Sequence, residues 1–408
     1  MDGTPTTPGE SGAALLVRVS GPDRPGITTD LMDVLDLSGV SVQDLEQVLV
    51  RGHLTLAAVV EAGPGEAADP GRLQADLALF ADRHRLTVEV APVPASGTEH
   101  RRVDAVVVLG HDLETALSPT ELGDVAGAVA AAGGNIDRIV RLARYPVYAY
   151  EFRVTGADPV ALRQHVAEAA AAHRLDTAIQ AEGLGRRAKR LVMMDVDSTL
   201  ISDEVIELLA EEAGCLDEVR DLTERAMAGG LDFEQALRQR VALLEGLDLA
   251  ALDRARARMT LTPGARTFVR TLKRLGYTVG IVSGGFTHFT DRLAEELGLD
   301  HAVANELEIV DGRLTGSVLG QVVDRARKAD LLREFAQAEG VPLSQTVAVG
   351  DGANDLDMLA AAGLGVAFNA KPVVQEAAEV AVNVPFLDAI LFLLGVTRDE
   401  VERADADD

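Results

Sequence analysis

A chain of 408 residues is longer than one hydrophobic core usually needs, and its 47% hydrophobic content is enough for two or three ordinary cores. With Trp absent and aromatic residues at 3%, Ala, Val and Leu must fill those cores. A net charge of −27 argues against nucleic acid as a partner, because phosphate backbones need clustered Lys and Arg, and it repels any phosphorylated ligand unless a local cation reverses the field.

From the N-terminus, the segment Met1 to Ser11 is polar and lacks the basic and apolar regions of a secretion signal. No apolar run approaches the ~20 residues of a membrane span. The single cysteine, Cys215, excludes an intrachain disulfide and fits a reducing, cytoplasmic setting.

Two copies of one pattern then follow. In the first, a strand over Ala13–Ser20 leads through the loop Gly21-Pro22-Asp23-Arg24-Pro25-Gly26 to a helix over Ile27–Leu37. Strands at Val40–Val50 and Leu54–Glu61, a helix at Pro70–Arg85 and a strand at Leu86–Val93 complete a βαββαβ order. A Pro/Ser/Gly linker over Pro92–Glu99 separates this from the second copy. There, strand Val103–Leu109, helix Thr120–Ala132, strands Ile136–Arg144 and Val147–Thr155, helix Pro159–Arg174 and strand Leu175–Ala181 repeat the order. Gly183-Leu184-Gly185 reads as the separator from the rest.

The second half alternates strand-like runs with helices, the pattern of a doubly wound parallel sheet. The runs are Leu191–Met194, Thr278–Val282, Thr346–Val349 and Leu364–Phe368. Between Ile201 and Thr262 the pattern is helical throughout, with segments near Val205–Ala213, Asp217–Met227, Asp232–Glu245 and Leu249–Met259. Such an insertion after the first strand reads as a helical cap. The expected domains are 12–95, 100–182 and 186–396, with a solvated, partly disordered acidic tail over 397–408.

Polar residues gather where the strands end, which is where sites sit in open α/β sheets. Asp195-Val196-Asp197-Ser198-Thr199 follows the first run and offers one carboxylate to attack and one to move protons. Ser283-Gly284-Gly285 follows the second, where a hydroxyl and close backbone N–H groups suit phosphate oxygens. Lys328 opens a helix, and Gly350-Asp351-Gly352-Ala353-Asn354-Asp355 follows the third run as an oxygen-rich turn suited to a hard cation. Each element alone is as readily a turn, a cap or a surface charge. Three carboxylates converging from Asp195, Asp197 and Asp351 demand a cation, and magnesium is the expected one.

In that order the motifs resemble the haloacid-dehalogenase superfamily of phosphatases, over about Arg190 to Val396. The resemblance implies Asp195 as the nucleophile that forms an aspartyl-phosphate and Asp197 as the acid and then the base. It implies Ser283, Gly284, Lys328 and Asn354 on the phosphoryl group. Magnesium would be held by Asp195, the backbone carbonyl of Asp197 and Asp351, with Asp355 behind them. The two βαββαβ copies resemble tandem ACT domains, small-molecule sensing modules. A regulatory ligand carboxylate would then meet the helix N-terminus near Asp23, Gly26 and Ile27, and the copies would pair two chains into a homodimer.

The cap carries the substrate reading. On Asp232–Glu245 the apolar stripe is Phe233, Leu237, Val241 and Leu244, and Arg240, seven residues after Phe233, shares its face. An inward Arg is costly without an anion, so Arg240 is either half of a structural ion pair or a clamp for a substrate carboxylate. Glu204 would meet an ammonium, or else it is an early-helix charge. The stretches DVDSTLISDEVIELLAEEAG and MAGGLDFEQALRQRV resemble the phosphoserine-specific branch of the superfamily. That resemblance implies a pocket of Glu204, Met227, Phe233 and Arg240, O-phospho-L-serine as substrate, and L-serine as product and feedback ligand. A phosphatase for another phosphate or a phosphoprotein, and a non-catalytic amino-acid sensor, are the competing readings.

Overall fold

The computed structural model describes residues 14–62, 70–94, 102–113, 115–227 and 232–406. The chain divides near residue 100 into two compact units.

In the first unit, alternation sets the sheet. In β1 (Ala14–Pro22), Val17 and Val19 are fully buried while Arg18 between them faces solvent. α1 (Ile27–Leu37) buries Ile27, Leu31 and Leu35, one residue per turn of a single face. β2 (Val40–Val50), β3 (His53–Ala62), α2 (Pro70–His84) and β4 (Thr87–Val93) complete an antiparallel sheet of order β2-β3-β1-β4. The strand runs two residues past the expected Ser20, because Gly21 and Pro22 still pair with Leu54 and His53. β2 lies at the edge, and most of its side chains are exposed.

The second unit opens with the same topology: β5 (Val103–Gly110), α3 (Pro119–Ala131), β6 (Asn135–Ala143), β7 (Ala149–Thr155), α4 (Pro159–His173) and β8 (Leu175–Ala181), in the order β6-β7-β5-β8. Here β5 is a continuous apolar run, and its burial explains why. Val106 and Val108 pack with α3 and α4, whereas the alternate residues Val107 and Leu109 join the core of the α/β domain that follows. The Gly183–Gly185 segment therefore does not set the second copy apart. α5 (Leu184–Arg187) starts there, and Arg186 donates to Glu151 Oε2 at 2.6 Å and to the Leu393 carbonyl at 3.3 Å.

The α/β domain has a seven-stranded sheet of order β12-β11-β10-β9-β13-β14-β15. β9 (Leu191–Met194) is central, flanked in parallel by β10 (Thr278–Phe286) and β13 (Thr346–Gly350). Three strands add to the four expected runs: β11 (His301–Val310), β12 (Arg313–Leu319) and β15 (Val380–Val382). β11 and β12 form an antiparallel hairpin at one edge, turning at Asp311-Gly312, both left-handed. Beyond β14 (Gly365–Phe368), the helices on the two faces include α10 (Ala265–Arg274), α11 (Thr287–Leu297), α12 (Arg325–Ala338), α13 (Leu356–Ala361), α14 (Pro372–Ala377) and α15 (Ile390–Leu393).

The cap helices are α6 (Val205–Ala213), α7 (Leu216–Met227), α8 (Phe233–Ala242) and α9 (Leu249–Arg258). The two ends of the insertion meet in an isolated antiparallel pair, Ile201 with Leu261, which the helical pattern around it hid. Ser202 N donates to Thr260 O at 2.9 Å and Thr262 N to Leu200 O at 3.0 Å beside it.

The acidic tail departs from expectation. Instead of a solvated end it forms α16 (Arg398–Ala406), and Val401 is buried. Thr397 and Glu400 cap it reciprocally, at 3.3 Å and 2.7 Å. Asp405 pairs with Arg270 and Arg274 on α10, which absorb its charge. Among the described residues no helix is long and apolar enough to cross a membrane.

Candidate active site

β9, β10 and β13 are neighbours, so their carboxyl ends bring Asp195, Ser283 and Asp351 to one place. Asp195 directly follows β9 and is almost wholly buried. Its Oδ1 accepts from Val196 N at 2.7 Å, and its Oδ2 lies 2.7 Å from Lys328 Nζ. Lys328 sits in the first turn of α12, whose N-cap Asp324 accepts from Arg327 N at 2.8 Å and fixes the helix start. The Lys328 side chain is completely buried and also donates to Asp355 Oδ1 at 2.7 Å. Burial alone pushes its pKa down, but Asp195 and then Asp355 outweigh burial and hold it above the ordinary lysine range. A surface role for this lysine is thereby excluded.

Asp197 is aimed differently. Its Oδ1 accepts from Val205 N at 2.7 Å and its Oδ2 from Ser283 Oγ at 3.1 Å, while Ser283 Oγ accepts from Gly285 N at 2.7 Å. Burial, then the charges of Glu204 and Asp195, push the Asp197 carboxyl up to about 7. A carboxyl of that kind exchanges its proton near neutral pH, so it can both give a proton and take one back.

Asp351 is oriented by Thr199, whose Oγ1 donates to Asp351 Oδ1 at 2.9 Å, and Thr262 Oγ1 in turn donates to Thr199 O at 2.7 Å. Burial and then Asp195 raise Asp351 to about 6. Carboxylate oxygens of Asp195, Asp351 and Asp355 all lie within 4.8 Å of one another. This donor set, hard oxygens with crowded negative charge, fits a small divalent cation. Asp355, placed behind the metal from the sequence, contributes an oxygen to the cluster itself. The Asp197 carboxylate lies outside this cluster, with its oxygens on Val205 N and Ser283 Oγ.

Close approach explains two glycines. A Cβ on Gly284 would lie 3.1 Å from Phe233 Cζ, so the Phe233 ring of α8 reaches the Ser-Gly-Gly turn. A Cβ on Gly352 would lie 2.1 Å from Asn354 Oδ1, which places the Asn354 amide against the Asp351 turn. Glu204 precedes α6 and accepts from Ser198 Oγ at 2.7 Å, with Ser198 in the left-handed region. Burial raises its pKa, with Asp195 and Glu207 adding to the rise and Ser198 and Lys371 opposing it. Arg240 is half-buried; its Nε donates to Ala236 O and its Nη1 to Thr223 Oγ1, each at 3.3 Å. Burial lowers its pKa, against the fields of Glu204 and Asp197. Among the described residues no carboxylate forms a salt bridge with it, so the structural ion pair weighed from the sequence is not formed there. Met227 ends α7, and its side chain lies outside the described residues, as do residues 228–231.

One contributor escaped sequence reasoning. Asn305, buried in β11, donates from Nδ2 to the Gly284 carbonyl and accepts from Val323 N, both at 2.8 Å. It fixes the Ser283–Gly285 turn from the neighbouring strand. The signal was a lone Asn in the apolar run of a strand that had not been recognised. In the first unit, Asp23 and Gly26 are exposed, Gly26 is left-handed at φ 95°, and the Ile27 side chain is spent on the core.

The fold and these strand-end groups define a hydrolase of the haloacid dehalogenase type. Residues 192–360 match the haloacid dehalogenase-like hydrolase family, and residues 13–91 and 103–180 each match an ACT domain family. A phosphoserine phosphatase of Streptomyces coelicolor is 58% identical over 399 residues, covering 97% of this chain and 95% of its own. One of Mycobacterium tuberculosis is 46% identical over 408 residues, covering 97% and 96%. The crystal structure of a probable phosphoserine phosphatase from Vibrio cholerae, in unliganded form, superimposes with a TM-score of 0.58 at 38% identity, covering 73% of this chain and 88% of that one. The chain belongs to the phosphoserine phosphatase family, in its form with paired ACT domains.

Proposed function

We propose that the chain hydrolyses O-phospho-L-serine to L-serine and phosphate, the last step of L-serine synthesis, through an aspartyl-phosphate on Asp195. The carrying observation is Arg240: a half-buried guanidinium with no carboxylate partner among the described residues, on the cap face that Phe233 turns toward the Ser283–Gly285 turn. A substrate carboxylate supplies the missing anion, and Glu204 takes the ammonium.

In this reading Lys328, Ser283, the Gly284 backbone and Asn354 hold the phosphoryl oxygens. Asp195 attacks phosphorus, and the bond to the serine oxygen breaks as Asp197 delivers its proton there. Asp197, now a carboxylate, takes a proton from water. That water attacks phosphorus, releasing phosphate and regenerating both aspartates. Asp195, Asp351 and the Asp197 carbonyl would hold magnesium, with Asp355 beside them. The ion supplies positive charge opposite the phosphoryl group.

A phosphate-release screen over a small panel of phosphomonoesters tests the assignment. O-phospho-L-serine should exceed phosphoethanolamine, which lacks the carboxylate, and phosphopeptides, which lack free ends. Equal use of all three overturns it. A chelator should abolish turnover and magnesium restore it, with calcium restoring little because it prefers longer bonds and more ligands. Full activity in excess chelator would remove the cation from the mechanism.

L-serine is also proposed as a feedback ligand at the ACT domains, near Asp23, Gly26 and Ile27, in a homodimer paired through those domains. The left-handed Gly26 at a helix start and the exposed edge strand β2 support this reading. Serine inhibition should weaken in Asp23→Ala by several-fold, in keeping with couplings of about 1–3 kcal/mol. Identical inhibition curves for both proteins would place the serine in the catalytic pocket instead.

A further inference from the structure

The second ACT domain meets the α/β domain through a part-buried polar relay that the catalytic chemistry does not use. Asp176, the second residue of β8, is 4% exposed although it carries a carboxylate. Its Oδ2 accepts from Asn383 N at 2.6 Å and its Oδ1 from Asn383 Nδ2 at 2.9 Å. Asn383 directly follows β15. Its Oδ1 accepts from Gln375 Nε2 of α14 at 2.7 Å, and the same Nε2 donates to the Ala370 carbonyl at 2.6 Å.

Ala370 belongs to the segment 369–371 that leaves the carboxyl end of β14, beside β13 and its Asp351 turn. Its backbone is unusual: Asn369 is left-handed at φ 45°, and its N–H is tied to Val382 O at 2.8 Å. Lys371, next in the segment, acts electrostatically on Glu204. Beside Asp176, His111 Nε2 lies 2.9 Å from Oδ1, within ion-pair distance but without hydrogen-bond geometry. His111 stands just after β5, at the place in the second copy that corresponds to the Gly21–Gly26 loop of the first.

We propose that Asp176 is a positioning residue for phosphoserine recognition: through Asn383 and Gln375 it sets segment 369–371 at the carboxyl end of β14, and with it the Lys371 charge that acts on Glu204. The relay has a direction, because each joint matches one donor with one acceptor. Its output is the pocket for the substrate ammonium, so the inference rests on the role given to Glu204 above.

The polarity of the relay provides the test. Asp176→Asn keeps size and one acceptor for Asn383 N, but its amide faces the Asn383 amide. Whichever amide flips, one joint is left donor against donor or acceptor against acceptor. Asn383→Asp in that background supplies acceptors to both neighbours and restores every joint.

The expected result for Asp176→Asn is a KM for O-phospho-L-serine raised by about two- to thirtyfold with kcat retained. Hydrolysis of an aryl phosphate, which has no ammonium, should be unchanged. The double variant should recover the original KM, a rescue that a merely structural junction would not show. Gln375→Ala cuts the relay away from the domain junction and should give the same KM shift if Asp176→Asn fails to fold. An unchanged phosphoserine KM in the folded variants overturns the proposal, as does an equal loss on both substrates. If the parent protein shows no preference for O-phospho-L-serine over the aryl phosphate, the substrate assignment fails instead.

Discussion

Asn in place of Asp195 is expected to lower turnover by roughly a thousandfold or more with the fold retained. The substitution is nearly isosteric, and the Val196 N–H can still find an acceptor in the amide oxygen. What disappears is the attacking carboxylate and one oxygen of the cation cluster. Lys328 keeps Asp355 as a partner, so its buried ammonium is not stranded. Circular dichroism and thermal unfolding should therefore show a folded protein, while phosphate release falls to background. Near-normal turnover in a folded variant would remove Asp195 as the nucleophile. Asp197→Asn should also fall severely on O-phospho-L-serine, and less on an ester whose leaving group needs no proton.

Arg240→Ala is expected to separate recognition from chemistry. Among the described residues the guanidinium's hydrogen bonds go to neutral acceptors, Ala236 O and Thr223 Oγ1. Removing it therefore leaves no carboxylate in the cap without its partner, and the cost should appear when substrate binds. Its loss should lower kcat/KM for O-phospho-L-serine by on the order of 2–5 kcal/mol, as for a buried charge pair losing one member. An aryl phosphate without a carboxylate should be used as before. Equal losses on both substrates would return Arg240 to a structural role in the cap.

What could be read in advance followed the physics of each element. Asp195, Ser283 and Asp351 stood out because each follows a short apolar run, and parallel strands place such residues on one edge of a sheet. Lys328 was legible only as a member of that set; its burial between two carboxylates is a tertiary fact. The β11–β12 hairpin was missed although Asp311-Gly312 is a strong turn signal, because β11 mixes Glu306 and Glu308 into its apolar pattern. Asn305 was lost with it. The tail looked solvated from its charge, yet Thr397 and Glu400 form a capping box that the sequence displays. The junction between the second ACT domain and the α/β domain was beyond local reading. The continuous burial of β5 is a property of two surfaces meeting, and only the unbroken Val-Val-Val-Leu run hinted at it.

The pairing of Ile201 with Leu261 has a bearing on how such enzymes diversify. The chain leaves the α/β domain and returns to it at adjacent points, and the interval between touches the sheet again only at its edge in the described residues' backbone pairing, where Asp248 bridges Arg313 and Gly246 N donates to Leu314 O of β12 at 2.8 Å, so a replacement for residues 202–260 has that one edge contact to keep. Asp195, Asp197, Lys328 and Asp351 lie outside that interval, whereas Glu204, Phe233 and Arg240 lie inside it. On the roles proposed above, bond breaking and substrate choice are carried on separable stretches of sequence, and a transplanted cap is expected to bring a new specificity to the same strand-end groups.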